Sequence, residues 1–215
     1  MKILLFGASG TAGGAVLRAC LNTPVVDEVR AIVRKPLGLT HAKLREFVHA
    51  NYSDYAPFAD AFRSVDACLF CLGISVTQVS KEEFVKISHD YAIAAATTLQ
   101  AQSPAAAFHY ISGAGTRADS RAFWSQVKGQ TENELMALVG ADCWRPAFID
   151  APASASIPKL YAITQPLFRL LKPFRSLYVT GEDLGRAMLQ ATKENLRRRA
   201  IENAEIRALA ERFRA

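Results

Sequence analysis

Residues 2–14 read KILLFGASGTAGG, and no other stretch constrains the fold as tightly. Ile3 to Phe6 form a continuous apolar run, the pattern of a parallel strand buried on both faces. Glycines follow at Gly7, Gly10 and Gly13, and a helical apolar pattern (Ala15, Val16, Leu17, Ala19, Leu21) begins inside the cluster. Strand, glycine turn and helix start in this order open a β-α-β crossover. Backbone N–H groups in the first turn of a helix lack intrahelical partners and carry partial positive charge. A dinucleotide pyrophosphate satisfies both needs, provided that no Cβ blocks its approach. Gly7 then permits the turn, Gly10 the close approach and Gly13 the packing of helix on strand. Ser9, Thr11 and Ala12 complete the loop. The spacing is G-x-x-G-x-x-G, not the G-x-G-x-x-G of common dehydrogenases.

Strand-like and helical patterns alternate through the rest of the chain. Strands are expected near residues 2–6, 28–33, 45–49, 66–72, 106–112 and 142–149, and helices near 12–22, 55–63, 82–101, 122–139 and 181–192. That alternation predicts an α/β fold, a Rossmann-type doubly wound parallel sheet with helices on both faces. The 215 residues suit one domain spanning 1–215, with a small C-terminal excursion on the substrate side. The segment 150–180 is rich in proline and aromatics and follows a strand end, where ligands of open α/β sheets sit. It is the candidate lid, and its aromatics suit an apolar small-molecule substrate or a subunit surface. Thr180, followed by Glu182 and Asp183, reads as a helix N-cap with an acidic first turn.

No apolar run approaches the roughly 20 residues that cross a bilayer, and the N-terminal run is too short for a signal-peptide core. The expected compartment is the cytoplasm. Cys20, Cys68, Cys71 and Cys143 fit it as reduced, buried thiols. Cys68 and Cys71 have C-x-x-C spacing but sit in an apolar strand with no second ligand pair, so no metal site is expected. The formal net charge is +6. Arginines crowd the end of the chain, at Arg197, Arg198, Arg199, Arg207, Arg212 and Arg214, but Glu194, Glu202, Glu205 and Glu211 interleave with them. A salt-bridged surface accounts for that pattern better than nucleic-acid binding does.

The second strand of such a fold ends beside the adenosine ribose. An acidic residue there binds the ribose hydroxyls and repels a 2′-phosphate. This chain instead has Arg34 and Lys35 after Val33, and a guanidinium pairs bidentately with phosphate. The expected cofactor is NADP(H) rather than NAD(H). After the third strand, Asn51 is placed near the adenine and Asp54 as a cap of the next helix. After the fourth, Leu72 and Gly73 lay backbone against the adenosine.

The segments GASGTAGG at 7–14, CLFCLG at 68–73, FHYISGAGT at 108–116, WSQVKGQTENEL at 124–135 and WRPAFI at 144–149 occur in the order seen in the atypical short-chain dehydrogenase/reductases. The chain resembles their NAD(P)H-binding subgroup, similar to the Tat-interacting protein and to small bacterial nucleoside-diphosphate-sugar-epimerase-like proteins. The resemblance covers nearly the whole chain. It implies a catalytic serine, tyrosine and lysine, with the lysine also holding the nicotinamide ribose. The serine position is Ser112 and the lysine position is Lys128. Arg145 and Pro146 match the corner that passes the nicotinamide. The tyrosine position, four residues before Lys128, holds Trp124.

That departure changes the chemistry. A phenol near a lysine exchanges a proton with a substrate oxygen, whereas indole offers only an N–H donor. Ser125, Tyr91, Tyr110, His89 and His109 are the nearby groups that could replace it. Two functions follow: an NADP(H)-dependent oxidoreductase of weak or specialised activity, or a non-catalytic NADP(H)-dependent sensor or interaction protein. A protein partner or homodimer stays open under both.

Overall fold

The computed structural model describes residues 1–150 and 169–214. Of the candidate lid, residues 151–168 lie outside the described residues. Seven parallel strands form one sheet: β1 (Lys2–Phe6), β2 (Glu28–Val33), β3 (Leu44–Val48), β4 (Ala67–Phe70), β5 (Ala107–Ile111), β6 (Asp142–Arg145) and β9 (Arg199–Glu202). Their order is β3-β2-β1-β4-β5-β6-β9, so the sheet grows in opposite directions from the β1–β4 neighbour pair. Ile3 of β1 stands between Val29 of β2 and Ala67 of β4. This is the doubly wound sheet expected from the sequence, and the glycine loop leaves β1 at its switch point.

Side-chain alternation splits the core in two. Ile3 and Leu5 join Val16 and Leu17 of α1 (Thr11–Leu21), Leu184 and Met188 of α5 (Gly181–Lys193) and Ile206 of α6 (Asn203–Arg212). Leu4 and Phe6 face the other layer, with Ala92 and Leu99 of α3 (Tyr91–Gln102) and Leu135 of α4 (Phe123–Val139). Cys68 packs in the second core and Cys71 in the first, so the two thiols belong to opposite faces. Helix α5 presses closely on α1. A Cβ on Gly181 would lie 2.3 Å from that of Ala15, and one on Gly185 2.5 Å from that of Ala19. Thr180 caps α5 as expected, its hydroxyl accepting from Asp183 N at 3.0 Å.

Three expected elements differ in detail. The strand expected over 142–149 is two strands, because Pro146 lacks an N–H for the ladder. β6 ends at Arg145, and β7 (Phe148–Asp150) pairs in parallel with β8 (Tyr178–Thr180) in a separate small sheet. Asn203 ties this excursion down, accepting from Ala147 N and donating to the carbonyls of Arg175 and Tyr178. The helix expected over 82–101 is α2 (Lys81–Val85) and α3 joined by a π turn at Lys86–Asp90. The helix expected over 55–63 is a 3₁₀ segment, Ala56–Phe62, with Asp54 accepting from Ala56 N before it. Two of the late arginines pair with interleaved glutamates, Arg212 with Glu194 and Arg199 with Glu205, and Arg197 and Arg207 donate to backbone carbonyls. Among the described residues no helix is long and apolar enough to cross a membrane.

Beneath the sheet's β5–β6 pair, His109 and Asp142 are both buried, with Nδ1 and Oδ2 3.7 Å apart. Trp144 Nε1 donates to His109 Nδ1, so the ring carries its proton on Nε2, facing Thr192 Oγ1 at 2.9 Å. His109 therefore packs as a neutral residue. Burial, helped by the charge of Arg197, lowers its pKa to about 3. Burial raises Asp142 to about 7, and its Oδ1 has no partner. Folding thus moves a proton from histidine to aspartate. Unfolding between about pH 4 and 6.5 binds one proton at His109 and releases one at Asp142, and the two contributions cancel. Above pH 7 the folded state holds an unwelcome buried carboxylate. Asp142→Asn is expected to raise thermal stability at pH 8, by at most about 4 kcal/mol for a shift of this size. The gain should shrink as pH falls from 7 toward 4. Paired melting curves across that range check it, and a pH-independent difference or a loss at pH 8 would contradict it.

Candidate functional site

A cleft of about 790 Å³ opens at the carboxyl ends of β1, β2 and β4. The glycine loop forms its floor. Gly7 adopts φ +75°, and a Cβ there would sit 2.5 Å from the Cys71 carbonyl oxygen. Gly13 is tighter still, since a Cβ would lie 2.1 Å from the Gly7 carbonyl oxygen. Two glycines therefore let α1 start directly against the end of β1. Gly10 caps α1 without any side-chain hydrogen bond, and its first turn contains no acidic residue. Helices α2 and α5, by contrast, are capped by Ser80 and Thr180 and carry acids in their first turns. The amides of Thr11, Ala12 and Gly13 are thus offered to an outside acceptor.

The walls of the cleft carry charge of one sign. Gly7, Ser9, Gly10, Arg34, Lys35 and Leu72 line it, as the sequence suggested, and Arg18 and Tyr52 line it as well. Three cationic side chains face this space, and none of the lining residues is acidic. Tyr52 is buried and donates to the Ile32 carbonyl at 3.1 Å, bracing the end of β2. Burial lifts its phenol to about 12. Sequence reasoning missed Arg18 because it lies well into α1. The usable signal was Gly14 four residues earlier, which leaves room on the same helix face.

The remaining expected contacts lie elsewhere. Thr11, Ala12 and Gly13 form the first turn of α1 beneath the cleft. Asn51 accepts from Ser53 N in an exposed turn and does not line the cleft, and Gly73 stands exposed beyond β4. Arg145 is a correction. Its guanidinium is held by Glu132, at 3.0 and 2.5 Å, and by Glu202 at 2.9 Å, with Glu132 almost fully buried. This bidentate pair locks α4 to β6, so the side chain is committed to the scaffold and does not reach for a cofactor. Pro146 acts through backbone, its carbonyl accepting from Ala114 N.

A second group converges at the end of β5, the strand beside β4. Lys128 Nζ donates to the carbonyls of Ser112 (3.1 Å) and Ile111 (3.3 Å). Burial lowers its pKa to about 8, with Glu132 pulling the other way. Ser112 Oγ donates to Thr116 Oγ1 at 2.9 Å, and both hydroxyls are buried. Trp124, one turn before Lys128 on α4, sits over Gly113, where a Cβ would be 4.0 Å from the indole ring. Ser112, Trp124 and Lys128 therefore share one locale, as the sequence implied.

Of the other groups weighed as proton carriers, Tyr110, Ser125 and His89 are held in hydrogen bonds. Tyr110 is fully buried and donates to the Ser88 carbonyl at 2.8 Å, and burial raises its pKa far above the ordinary value. Ser125 is buried between Gly115 O and Arg117 N, closing the loop after β5. His89 bridges Asp90 and Glu134. Tyr91 packs edge-on against Tyr52 with ring centroids 5.6 Å apart.

No family model matches the chain. The rat protein HTATIP2 is 26% identical over 140 residues, which cover 64% of this chain and 57% of that protein. The mitochondrial protein FMP52 of Eremothecium gossypii is 26% identical over 141 residues, 64% and 61% of the two chains. The chain thus spans about three-fifths of the length of the curated relatives it matches. An oxidoreductase of the short-chain dehydrogenase/reductase family from Burkholderia thailandensis superposes with a TM-score of 0.70 at 18% identity, covering 93% of this chain and 89% of that one. The Bordetella bronchiseptica enzyme WbmF, solved with NAD+, gives 0.70 at 10% identity over 98% and 77%. In sequence the chain is thus similar to HTATIP2 and FMP52, and in fold to short-chain dehydrogenase/reductase structures.

Proposed function

We propose that the protein binds NADP(H) in the cleft between the glycine loop and Arg34, as an oxidoreductase-type protein of weak or specialised activity. The observation that carries this reading is the pairing of an uncapped helix N-terminus with three cations and no carboxylate around one cleft. The amides of the first turn of α1 would hold the diphosphate. Arg34 and Lys35, both exposed at the end of β2, would meet a phosphate on the adenosine ribose. The fold agrees, since a neighbour at 0.70 similarity is solved with NAD+. The expectation of NADP(H) over NAD(H) rests on Arg34 and Lys35 standing where an acidic residue would bind the ribose hydroxyls.

The nicotinamide of a bound cofactor would supply hydride chemistry next to β5. Lys128 is the residue there that would hold the nicotinamide ribose. A pKa near 8 keeps its ammonium mostly charged at neutral pH and lets that charge fade above pH 8. Trp124 donates a hydrogen bond or stacks on a ring, but exchanges no proton near neutrality. Ser112 spends its proton on Thr116. The chain thus holds a cofactor-side cation without an evident acid beside it. That combination favours a second reading, in which cofactor occupancy is sensed rather than turned over.

Two measurements test these readings. Fluorescence titration should show tighter binding of NADPH than of NADH, and Arg34→Ala should weaken NADPH by about 1.5–3 kcal/mol, the scale of a charged hydrogen bond. A preference for NADH would overturn the assignment. Trp124→Tyr restores a phenol one helical turn from Lys128. If the wild type is a sensor, the variant should gain NADPH-dependent reduction of aldehydes or ketones that the wild type lacks. Robust wild-type turnover, unchanged in the variant, would place the proton donor elsewhere and reject the sensor.

A further inference from the structure

Arg34 is exposed, whereas a second guanidinium in the same cleft is not fully served by the protein. Arg18 lines the cleft from the side of α1, and its Nη2 is buried with no hydrogen-bond partner among the described residues. A buried guanidinium N–H without an acceptor is costly, and the dehydration is already incurred before any ligand arrives. Gly14, one turn earlier on α1, also lines the cleft, and a Cβ there would lie 3.9 Å from Arg18 Nη1. The guanidinium thus lies back over Gly14, along the helix within the cleft. Opposite stands the chain from Val33 to Leu37, with Arg34 and Lys35 in it.

We infer that Arg18 is the inner half of a two-arginine clamp on the ribose 2′-phosphate, and that it adds to Arg34 in discriminating NADPH from NADH. This rests on the dinucleotide reading above. Position along the helix favours the 2′-phosphate over the diphosphate. Arg18 is seven residues beyond Thr11, about 10 Å along the helix axis, so it lies past the first-turn amides and opposite the residues that follow β2. The partner chemistry is a phosphate monoester, which takes two parallel N–H donors from one guanidinium. A 2′-hydroxyl accepts one weak bond from the same group, so the charge and the fork are rewarded only by the phosphate. Arg34 reaches the same group from solvent, where water competes with it and screens it.

Calorimetry on the full chain with NADPH, NADH, adenosine 2′,5′-bisphosphate and 5′-AMP tests this. Arg18→Gln should weaken NADPH and adenosine 2′,5′-bisphosphate by about 10- to 100-fold, the range of a charged hydrogen bond. NADH and 5′-AMP should change less than about twofold. Arg18→Lys, which keeps the charge but not the fork, should retain part of the preference, and a melting temperature unchanged in both variants excludes a folding defect. Equal losses for NADPH and NADH would assign Arg18 to the diphosphate or to the helix and overturn the inference. So would a preference for NADPH that survives Arg18→Gln but vanishes in Arg34→Ala, although the cofactor reading would then stand. A wild type that binds neither nucleotide, or that prefers NADH, removes the cofactor reading and this inference together.

Discussion

The start of α1 approaches the end of β1 in a way that a methyl group would forbid. Helix α1 begins so near the end of β1 that a Cβ at Gly13 would stand 2.1 Å from the Gly7 carbonyl oxygen. Such a separation is far inside van der Waals contact, so the residue type decides whether the crossover closes at all. Gly7 meets the same limit from the other side, against the Cys71 carbonyl after β4. Together they pin the helix start to the point where the sheet changes direction. Everything that makes the cleft a candidate for an anion follows from that position: the unpartnered amides of the first turn, the partial positive charge behind them and the nearness of the β2 terminus.

Charge then narrows what the cleft suits. Arg18, Arg34 and Lys35 line it without a single acidic neighbour among the lining residues, which suits an anion. The pattern at the end of β5 is different. There the basic group, Lys128, is buried and held by backbone carbonyls, and the tyrosine expected from the family is an indole. Under the proposed reading, the cofactor side keeps its cations, whereas the proton-transfer side lacks a phenol. The proposed weak or sensing role takes its physical basis from that asymmetry.

Much of this was readable in advance, for identifiable reasons. Buried parallel strands show as continuous apolar runs, so β1, β2, β4 and β5 were located closely. The glycine spacing carried the loop, and the residues after Val33 carried the cationic wall. What the sequence concealed depended on helix rotation and on pairings between distant residues. Arg145, matched by resemblance to the corner that passes the nicotinamide, is held by Glu132, thirteen residues earlier on α4, a pairing that the sequence did not reveal. Arg18, well into α1, comes into view only once the helix is placed on the sheet. The division of residues 142–150 between two sheets turns on Pro146, whose presence was noted but whose consequence required the β7–β8 pairing.

The account depends on an anionic diphosphate fitting against the start of α1, and a crystal structure grown with NADPH examines that most directly. The expected result is density for the diphosphate against the amides of Thr11, Ala12 and Gly13, with the adenosine ribose turned toward the end of β2. A nucleotide bound at another surface, or a glycine loop left empty at millimolar NADPH, would contradict it.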